Sequence, residues 1–400
     1  MPKREIDGEF VKGWPDRKRA GMGEGKDEQG RVILGKTPVL DLPGIVTPTD
    51  SFYIITQLET PEPVHPDDWS LKIGGLVENE VELSFEDLQK FPGHTVRMVM
   101  ECAGDDTDYF EWQTNGGPKP SRLDVEKVAF GQGESQIGYV SAGEFTGVSL
   151  KTVLDKIGMK SGAESIYSVG FDSGRPDPVM IQMSAGRDDI EVPDYGVINY
   201  DKAMPLEKAL DPDTIIAWAM NGEYLQHVHG APARLVIPGW SGNWSVKWLD
   251  KIQVLDHTPD CYYQTQYFVY ASGPDDPNKR PLMALGTKST ITSPVDEESP
   301  LPAGEIGIRG LSWSGEGAIT RVEVSTDNGQ TWNDASLEEN HDRFLWTRWF
   351  YLWDAKPGKH QVIARATDEK GRVQPQTGGP DVNFQRKHFD GIVPLDMEIS

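Results

Sequence analysis

The chain has 400 residues, enough for two domains that each bury a core, and 63 acidic against 39 basic side chains give it a formal net charge of -24. That charge disfavours a nucleic-acid partner, because phosphates would have to approach a strongly negative body, and it fits a basic protein partner or a high-salt environment better. No apolar run reaches the roughly 18 residues of a membrane span, and mean hydropathy is -0.50, so no membrane partner is expected.

Glycine (42) and proline (29) together approach a fifth of the chain, too rich for a helical bundle and suited to short strands joined by turns. Residues 1 to about 45 are polar and read as an arm, extended or ordered only by docking on the body. Neither Lys3-Arg4 nor Arg17-Lys18-Arg19 is followed by an apolar segment, so no secretory or twin-arginine leader is read. A cytoplasmic location is expected, or a periplasmic one if a leader was removed. Gly21-Met22-Gly23-Glu24-Gly25 is not a phosphate loop, since no strand precedes it and no helix follows.

Ser84, with Asp87 three residues on, predicts a short helix from Phe85 to Phe91 before Pro92-Gly93. A strand over Thr95–Met100 then runs into Glu101-Cys102-Ala103-Gly104. With two cysteines in the whole chain, Cys102 belongs to no disulfide framework or zinc cage. A thiol at the end of a strand suits a nucleophile or a single thiolate ligand to a cofactor metal; the alternative is a small buried hydrophobe. Asp105, Asp106 and Asp108 follow. They lack the spacing of a calcium loop and read as a solvated acidic turn. Ser149 opens a second helix whose apolar face is Leu150, Val153, Leu154 and Ile157, ended by Gly158.

His227 and His229 would share a face of an extended segment, but no third ligand stands at a recognisable spacing. The segment His229-Gly230-Ala231-Pro232-Ala233-Arg234 brackets a tight turn between two basic residues, feeds the buried strand Leu235–Pro238, and precedes Val246-Lys247-Trp248. His229, Arg234 and Lys247 together read as a cationic pocket for an anionic group such as a phosphate.

Residues 257 to 300 look loop-like, with many prolines, and place a domain boundary there. Beyond it Ile306–Leu311, Ile319–Ser325 and Gln361–Thr367 read as strands, with Thr320, Val322 and Val324 on one face, and several such strands point to an immunoglobulin-like sandwich. Ser325-Thr326-Asp327-Asn328-Gly329-Gln330-Thr331-Trp332 matches the Asp-box turn of sialidase propellers. It occurs once, and it reads as a structural hairpin rather than as a glycosidase site.

In order along the chain, Glu101-Cys102-Ala103-Gly104, Thr146-Gly147-Val148-Ser149-Leu150, Met220-Asn221-Gly222-Glu223, the His-Gly-x-Pro-x-Arg turn and Val246-Lys247-Trp248 resemble the sulfite oxidase family of molybdopterin enzymes. Trp313-Ser314-Gly315 and Arg321–Ser325 leading to Gly329-x-Thr331-Trp332 resemble that family's dimerisation domain. The resemblance implies an α+β fold: a polar arm over 1–45, a mixed α/β molybdopterin-binding domain over 46–272, and an immunoglobulin-like all-β sandwich over 273–400 that forms a homodimer. It implies a molybdenum–molybdopterin cofactor with Cys102 as the metal's thiolate ligand and catalytic centre. His229, Arg234 and Lys247 would bind the pterin phosphate, Asp172 and Ser173 would make further pterin contacts, and Tyr270 would be the active-site tyrosine.

No haem-binding Cys-x-x-Cys-His and no nicotinamide fingerprint is present, so electrons would pass to a cytochrome c-type or other external acceptor. The substrate implied is a small molecule, sulfite or another reduced sulfur compound. Alternatives are a sulfoxide or N-oxide reductase on the same scaffold, or a binding protein without cofactor. The chain departs from the family where sulfite is held: Asp105-Asp106-Thr107 replaces an asparagine and two arginines, Thr56 stands for a third arginine, and no arginine stands between Gly317 and Ala318. Two aspartates beside the metal would repel an anion, unless Arg97, Lys119, Arg122 or Arg175 compensates. Cys261 is expected to be inert.

Overall fold

In a computed structural model, the protein is described over residues 24–400, apart from 27, 29–30, 43, 117–118, 121–137, 178–179, 183–188, 192, 296–299 and 379–382. Both basic clusters of the N-terminus, the first half of the polar arm and Arg122 lie outside the described residues. What is described of the arm is docked. Glu24–Lys26 pairs with Val32–Gly35, which pairs with Ile54–Ile55, and Lys36 and Thr37 are buried behind it.

Two five-stranded sheets build the first domain. One runs Val81–Ser84, Ser70–Gly75, Leu249–Leu255, Ser165–Gly174, Ile198–Pro205, mixed because Ser70–Gly75 and Leu249–Leu255 lie parallel. The other runs Glu223–Tyr224, Ile215–Met220, Val140–Ser149, His94–Glu101, with Arg234–Val236 also on Ile215–Met220. Their core includes Leu71, Ile73, Ile166, Leu235 and Ile252. Helix Leu150–Ile157 buries the expected four residues and ends at Gly158, whose φ of 79° favours glycine. Helix Phe85–Gln89 carries the expected capping box, with Ser84 and Asp87 satisfying each other's backbone N–H, and stops two residues short of Phe91.

The second domain is two four-stranded antiparallel sheets. One orders Lys288–Ser293, Gly304–Trp313, Thr347–Ala355, Ser336–Leu337; the other orders Asn333–Asp334, Ile319–Ser325, Gly358–Asp368, Leu395–Ile399. Ile308, Val322, Trp349 and Val362 fill the space between them. Thr320 is exposed rather than level with Val322, because a bulge between Ile319 and Arg321 breaks the alternation. The Asp-box turn is a hairpin staple: Asp327 accepts from the Thr331 N–H (2.9 Å) and hydroxyl (2.7 Å), and the Arg365 guanidinium lies 4.0 Å from the Trp332 ring centre.

The described part of 257–300 is not all loop. It holds a widened helical turn, Tyr263–Tyr267, a short ladder of Val269–Tyr270 with Arg280–Pro281, and the strand Lys288–Ser293. That strand is buried although almost wholly polar, so no apolar alternation marks it. Its groups are satisfied in place: Ser289 accepts from the Ser312 hydroxyl (2.8 Å), and its N–H donates to Gln374 (2.9 Å). Among the described residues no helix is long and apolar enough to cross a membrane.

Candidate active site

The strand His94–Glu101 alternates at its start and is buried on both faces by its end. The second domain covers the outer face. Val99 packs with Leu311, Trp313 and Trp346, and its N–H donates to Phe344 O (2.8 Å). Cys102 follows directly. Its N–H donates to Tyr139 O (2.8 Å), its carbonyl accepts from Asp105 N–H (3.0 Å), and the Gly104 N–H points at its sulfur (3.4 Å). Burial pushes the thiol up to about 11, while the Gly104 N–H and Lys387 pull the other way. A thiolate here needs a stronger positive charge than its neighbours supply, which suits a metal ligand and not a free nucleophile.

Cys102, Asp172, the turn carrying His229 and Arg234, and Lys247 line one cavity, together with Thr56 and Asn243. Arg234 is buried and donates to the carbonyls of His229 (3.0 Å) and Ser245 (2.8 Å). Lys247 donates to Thr56 Oγ1 (3.0 Å) and Val228 O (3.2 Å). Among the described residues, no hydrogen-bond partner of either cation is a carboxylate. Burial lowers the Lys247 ammonium and raises the Asp172 carboxyl, so the charged form of each is disfavoured in place. Gly230, with φ of 100°, lets the turn press on both cations; a Cβ there would stand 3.1 Å from Arg234 Cβ and 3.0 Å from Lys247 Cβ.

Ser173 does not line this cavity; its carbonyl accepts the Glu59 N–H (3.1 Å). Tyr270 does not line it either, but its hydroxyl lies 2.8 Å from Nδ1 of His388, whose N–H donates to Ala103 O (2.8 Å). His227 and His229 sit on a tight turn and not in an extended segment, so they part company. His229 Nε2 lies 3.2 Å from Thr49 O beside the cavity, whereas His227 packs on Trp248, its pKa pushed down to about 3 by burial and Lys247.

Of the acidic turn Asp108 is exposed, as read, while Asp105 and Asp106 are not solvated, and none of the three lines the cavity. Asp105 and Asp106 are buried, and Lys288 of the second domain reaches Asp106 (2.6 Å), Glu101 (2.8 Å) and Asp105 (3.8 Å). Trp313 Nε1 donates to the other Glu101 oxygen (2.7 Å), and Asp105 accepts from the N–H groups of Gly138 and Tyr139. The cluster still acts on the thiol, since Asp105 and Glu101 both push Cys102 upward, but neither Asp105 nor Asp106 lines the cavity. Of the replacement cations, the three among the described residues do not line the cavity: Arg97 pairs with Glu144, Lys119 with Asp396 and Arg175 with Asp194.

Two residues of the site carry no mark in the sequence. Asn243 lines the cavity with both side-chain amide atoms buried and unpartnered; its place directly after Gly242 is the only hint. Lys387, from the end of the second domain, lies beside Cys102 and belongs to no recognisable motif.

Two buried cations whose hydrogen bonds go to no carboxylate, unsatisfied Asp172 and Asn243 atoms and one deprotonatable sulfur on a shared wall fit a phosphate-bearing cofactor whose metal takes a single protein ligand. Among the described residues no cluster of three His, Cys, Asp or Glu could hold a metal alone. The class so defined is a cofactor-dependent redox scaffold. The chain belongs to the molybdopterin-binding oxidoreductases: residues 57–263 match the oxidoreductase molybdopterin binding domain, and 279–383 the Mo-co oxidoreductase dimerisation domain.

The chain is 30% identical to mitochondrial sulfite oxidase of Rattus norvegicus over 367 residues, 87% of this chain and 60% of that protein. It is 31% identical to an NADPH nitrate reductase of Mycosarcoma maydis over 80% of this chain and 34% of that protein. It thus spans well under two thirds of the length of these relatives. The sulfane dehydrogenase SoxCD of Paracoccus pantotrophus is similar in structure, with a TM-score of 0.74 and 27% identity over 95% of this chain and 90% of that one.

Proposed function

We propose that the protein is a molybdenum-cofactor oxidoreductase acting on a reduced sulfur compound, with Cys102 as the metal's thiolate ligand. When bound, the molybdenum–molybdopterin group would supply two-electron oxygen-atom transfer at an open metal position. Arg234 and Lys247 would hold the cofactor's phosphate, and His229, Asn243 and Asp172 would orient the pterin. The Gly104 N–H holds the sulfur in place. Tyr270, through His388, fixes the backbone at Ala103 and so acts on Cys102 at one remove. Ser173 is left with no contact role toward the pterin.

The observation that carries this reading is the pair of buried cations, hydrogen-bonded to carbonyls and a hydroxyl and to no carboxylate, on the same wall as the thiol. Electrons pass to an external acceptor, of the cytochrome c type or another. The domain limits at residues 45 and 272, an immunoglobulin-like identity for the second domain, its use in a homodimer, and a cytoplasmic or leader-directed periplasmic location belong to the same proposal. Light scattering at micromolar concentration that gives the mass of one chain would remove the dimer from it.

Metal analysis tests the core of the reading. Made in a host that synthesises the cofactor, the protein should carry about one molybdenum per chain, and Cys102→Ser should abolish turnover with the fold intact. A Cys102→Ser protein that keeps most of its activity overturns the ligand role. A wild-type protein without molybdenum favours a binding protein instead.

A further inference from the structure

A buried lysine stands one layer behind the wall of the cofactor cavity. Lys202, on the strand Ile198–Pro205, is fully buried and does not line the cavity. Its ammonium lies 4.9 Å from the Trp244 ring centre, 5.2 Å from that of Phe268 and 5.9 Å from that of Tyr200. All three are within the roughly 6 Å of a cation–π contact. The ammonium donates to the Tyr263 carbonyl (2.6 Å), and among the described residues it forms no ion pair.

A cation sunk among rings is costly. Burial lowers the ammonium to about 7, against a smaller upward pull from Cys261 and Asp201. Those acids offer no settled charge, because burial raises both. A buried ammonium without an ion pair takes stability from the fold, so packing alone does not account for it.

What the ammonium holds is the cavity wall. Tyr200 and Phe268 line the cavity, and so do Gln57 and Asn243, the residue before Trp244. The Tyr200 hydroxyl donates to Asn243 O (2.7 Å), and the Tyr263 hydroxyl to Gln57 O (3.3 Å). Tyr263 opens the widened turn that runs to Tyr267 beside Phe268, and such turns are frequent at functional sites. Gln264, in the same turn, accepts the Ala203 N–H (2.9 Å) and donates to the Ala203 carbonyl (3.1 Å), so the turn stays on the strand without the lysine.

Resting on the reading of that cavity as the cofactor's, we infer that Lys202 is a positioning residue, which from behind the aromatic wall sets Tyr200, Phe268 and the Tyr263 turn where the cofactor is gripped. It acts through the rings in front of it. A wall fixed from behind gives up little freedom on binding, so more of the contact energy goes into retention.

The test is Lys202→Met, which keeps an apolar stem in the cage and removes the charge. The denaturant midpoint of the apoprotein should stay or rise, because an unpaired buried charge is gone. Backbone hydrogen exchange over residues 263–268 should nevertheless speed up about fivefold or more, as the tether to the turn is lost. Made in a host that synthesises the cofactor, the variant should lose molybdenum on dialysis about tenfold faster than wild type.

A lowered midpoint makes Lys202 an ordinary structural residue and overturns the inference. So does exchange over 263–268 equal to that of wild type, or equal retention of molybdenum. The exchange is read on the apoprotein, so it decides the positioning role even where the wild type carries no molybdenum. In that case the cofactor reading alone falls.

Discussion

Two buried charge clusters flank Cys102, and they are opposites. On one side Arg234 and Lys247 face a cavity with carbonyls and hydroxyls for company. On the other, Glu101, Asp105 and Asp106 converge on Lys288, with Trp313 and two backbone N–H groups completing the set. The acidic cluster gathers on one lysine of the second domain, which ties the domains together, and leaves Asp105 Oδ2 and Asp106 Oδ1 without a hydrogen bond among the described residues. The basic pair has the Asp172 carboxyl beside it, which burial pushes towards its neutral form, and hydrogen bonds to carbonyls and a hydroxyl, and that imbalance is the mark of a ligand. Net charge density near the thiol says little; what matters is which charges still lack a partner.

The comparison breaks most visibly at Lys288. Lys288→Met leaves three buried carboxyls without their cation and should cost about 3–5 kcal/mol of stability, read as a lowered denaturant midpoint. Unchanged stability would mean that the acids are held neutral and the cluster is not a latch.

Arg234→Ala should behave differently. Losing a charge-assisted contact to phosphate costs about 1.5–3 kcal/mol of cofactor affinity, so the variant should purify with depleted molybdenum, while the apoprotein should lose less stability than Lys288→Met does. Full molybdenum loading with lost turnover would move Arg234 from cofactor binding to catalysis.

A third test is acid titration of the apoprotein. His227 is held neutral down to about pH 3 in the fold, against an ordinary value of 6.5. Between those values the unfolded chain binds the extra proton, so stability falls as pH falls, by up to about 1.4 kcal/mol per pH unit for this residue. His227→Gln should flatten that limb of the stability profile; an unaltered slope would assign it to other groups.

The smallest effect belongs to Cys261. It is buried away from the cavity, and Cys261→Ala should leave turnover unchanged and cost about 1 kcal/mol. A disulfide between Cys102 and Cys261 in the active protein would contradict both assignments.

Local grammar was legible in the sequence. The Ser84–Asp87 cap, the apolar face ended by Gly158 and the Asp327 hairpin each need only neighbours within a few residues, and each stands where it was read. So did the gathering of Cys102, Asp172, His229, Arg234 and Lys247, because the family motifs carry them together. What escaped was settled at long range. Lys288–Ser293 is a buried strand of hydroxyls, invisible to any search for apolar alternation. The fate of Asp105 and Asp106 depends on a lysine more than 180 residues away. Thr320 missed its face because one bulge shifts a two-residue period.

The tie between His388 and Ala103 bears on how the protein is made. A ribosome delivers Cys102 early and Lys387 with His388 almost three hundred residues later, on the order of tens of seconds at cellular elongation rates. Until then the loop bearing the thiol lacks one of its fixed walls. Cofactor insertion during translation would meet an unfinished receptacle, so the chain's own order of emergence defers loading until synthesis has passed residue 388.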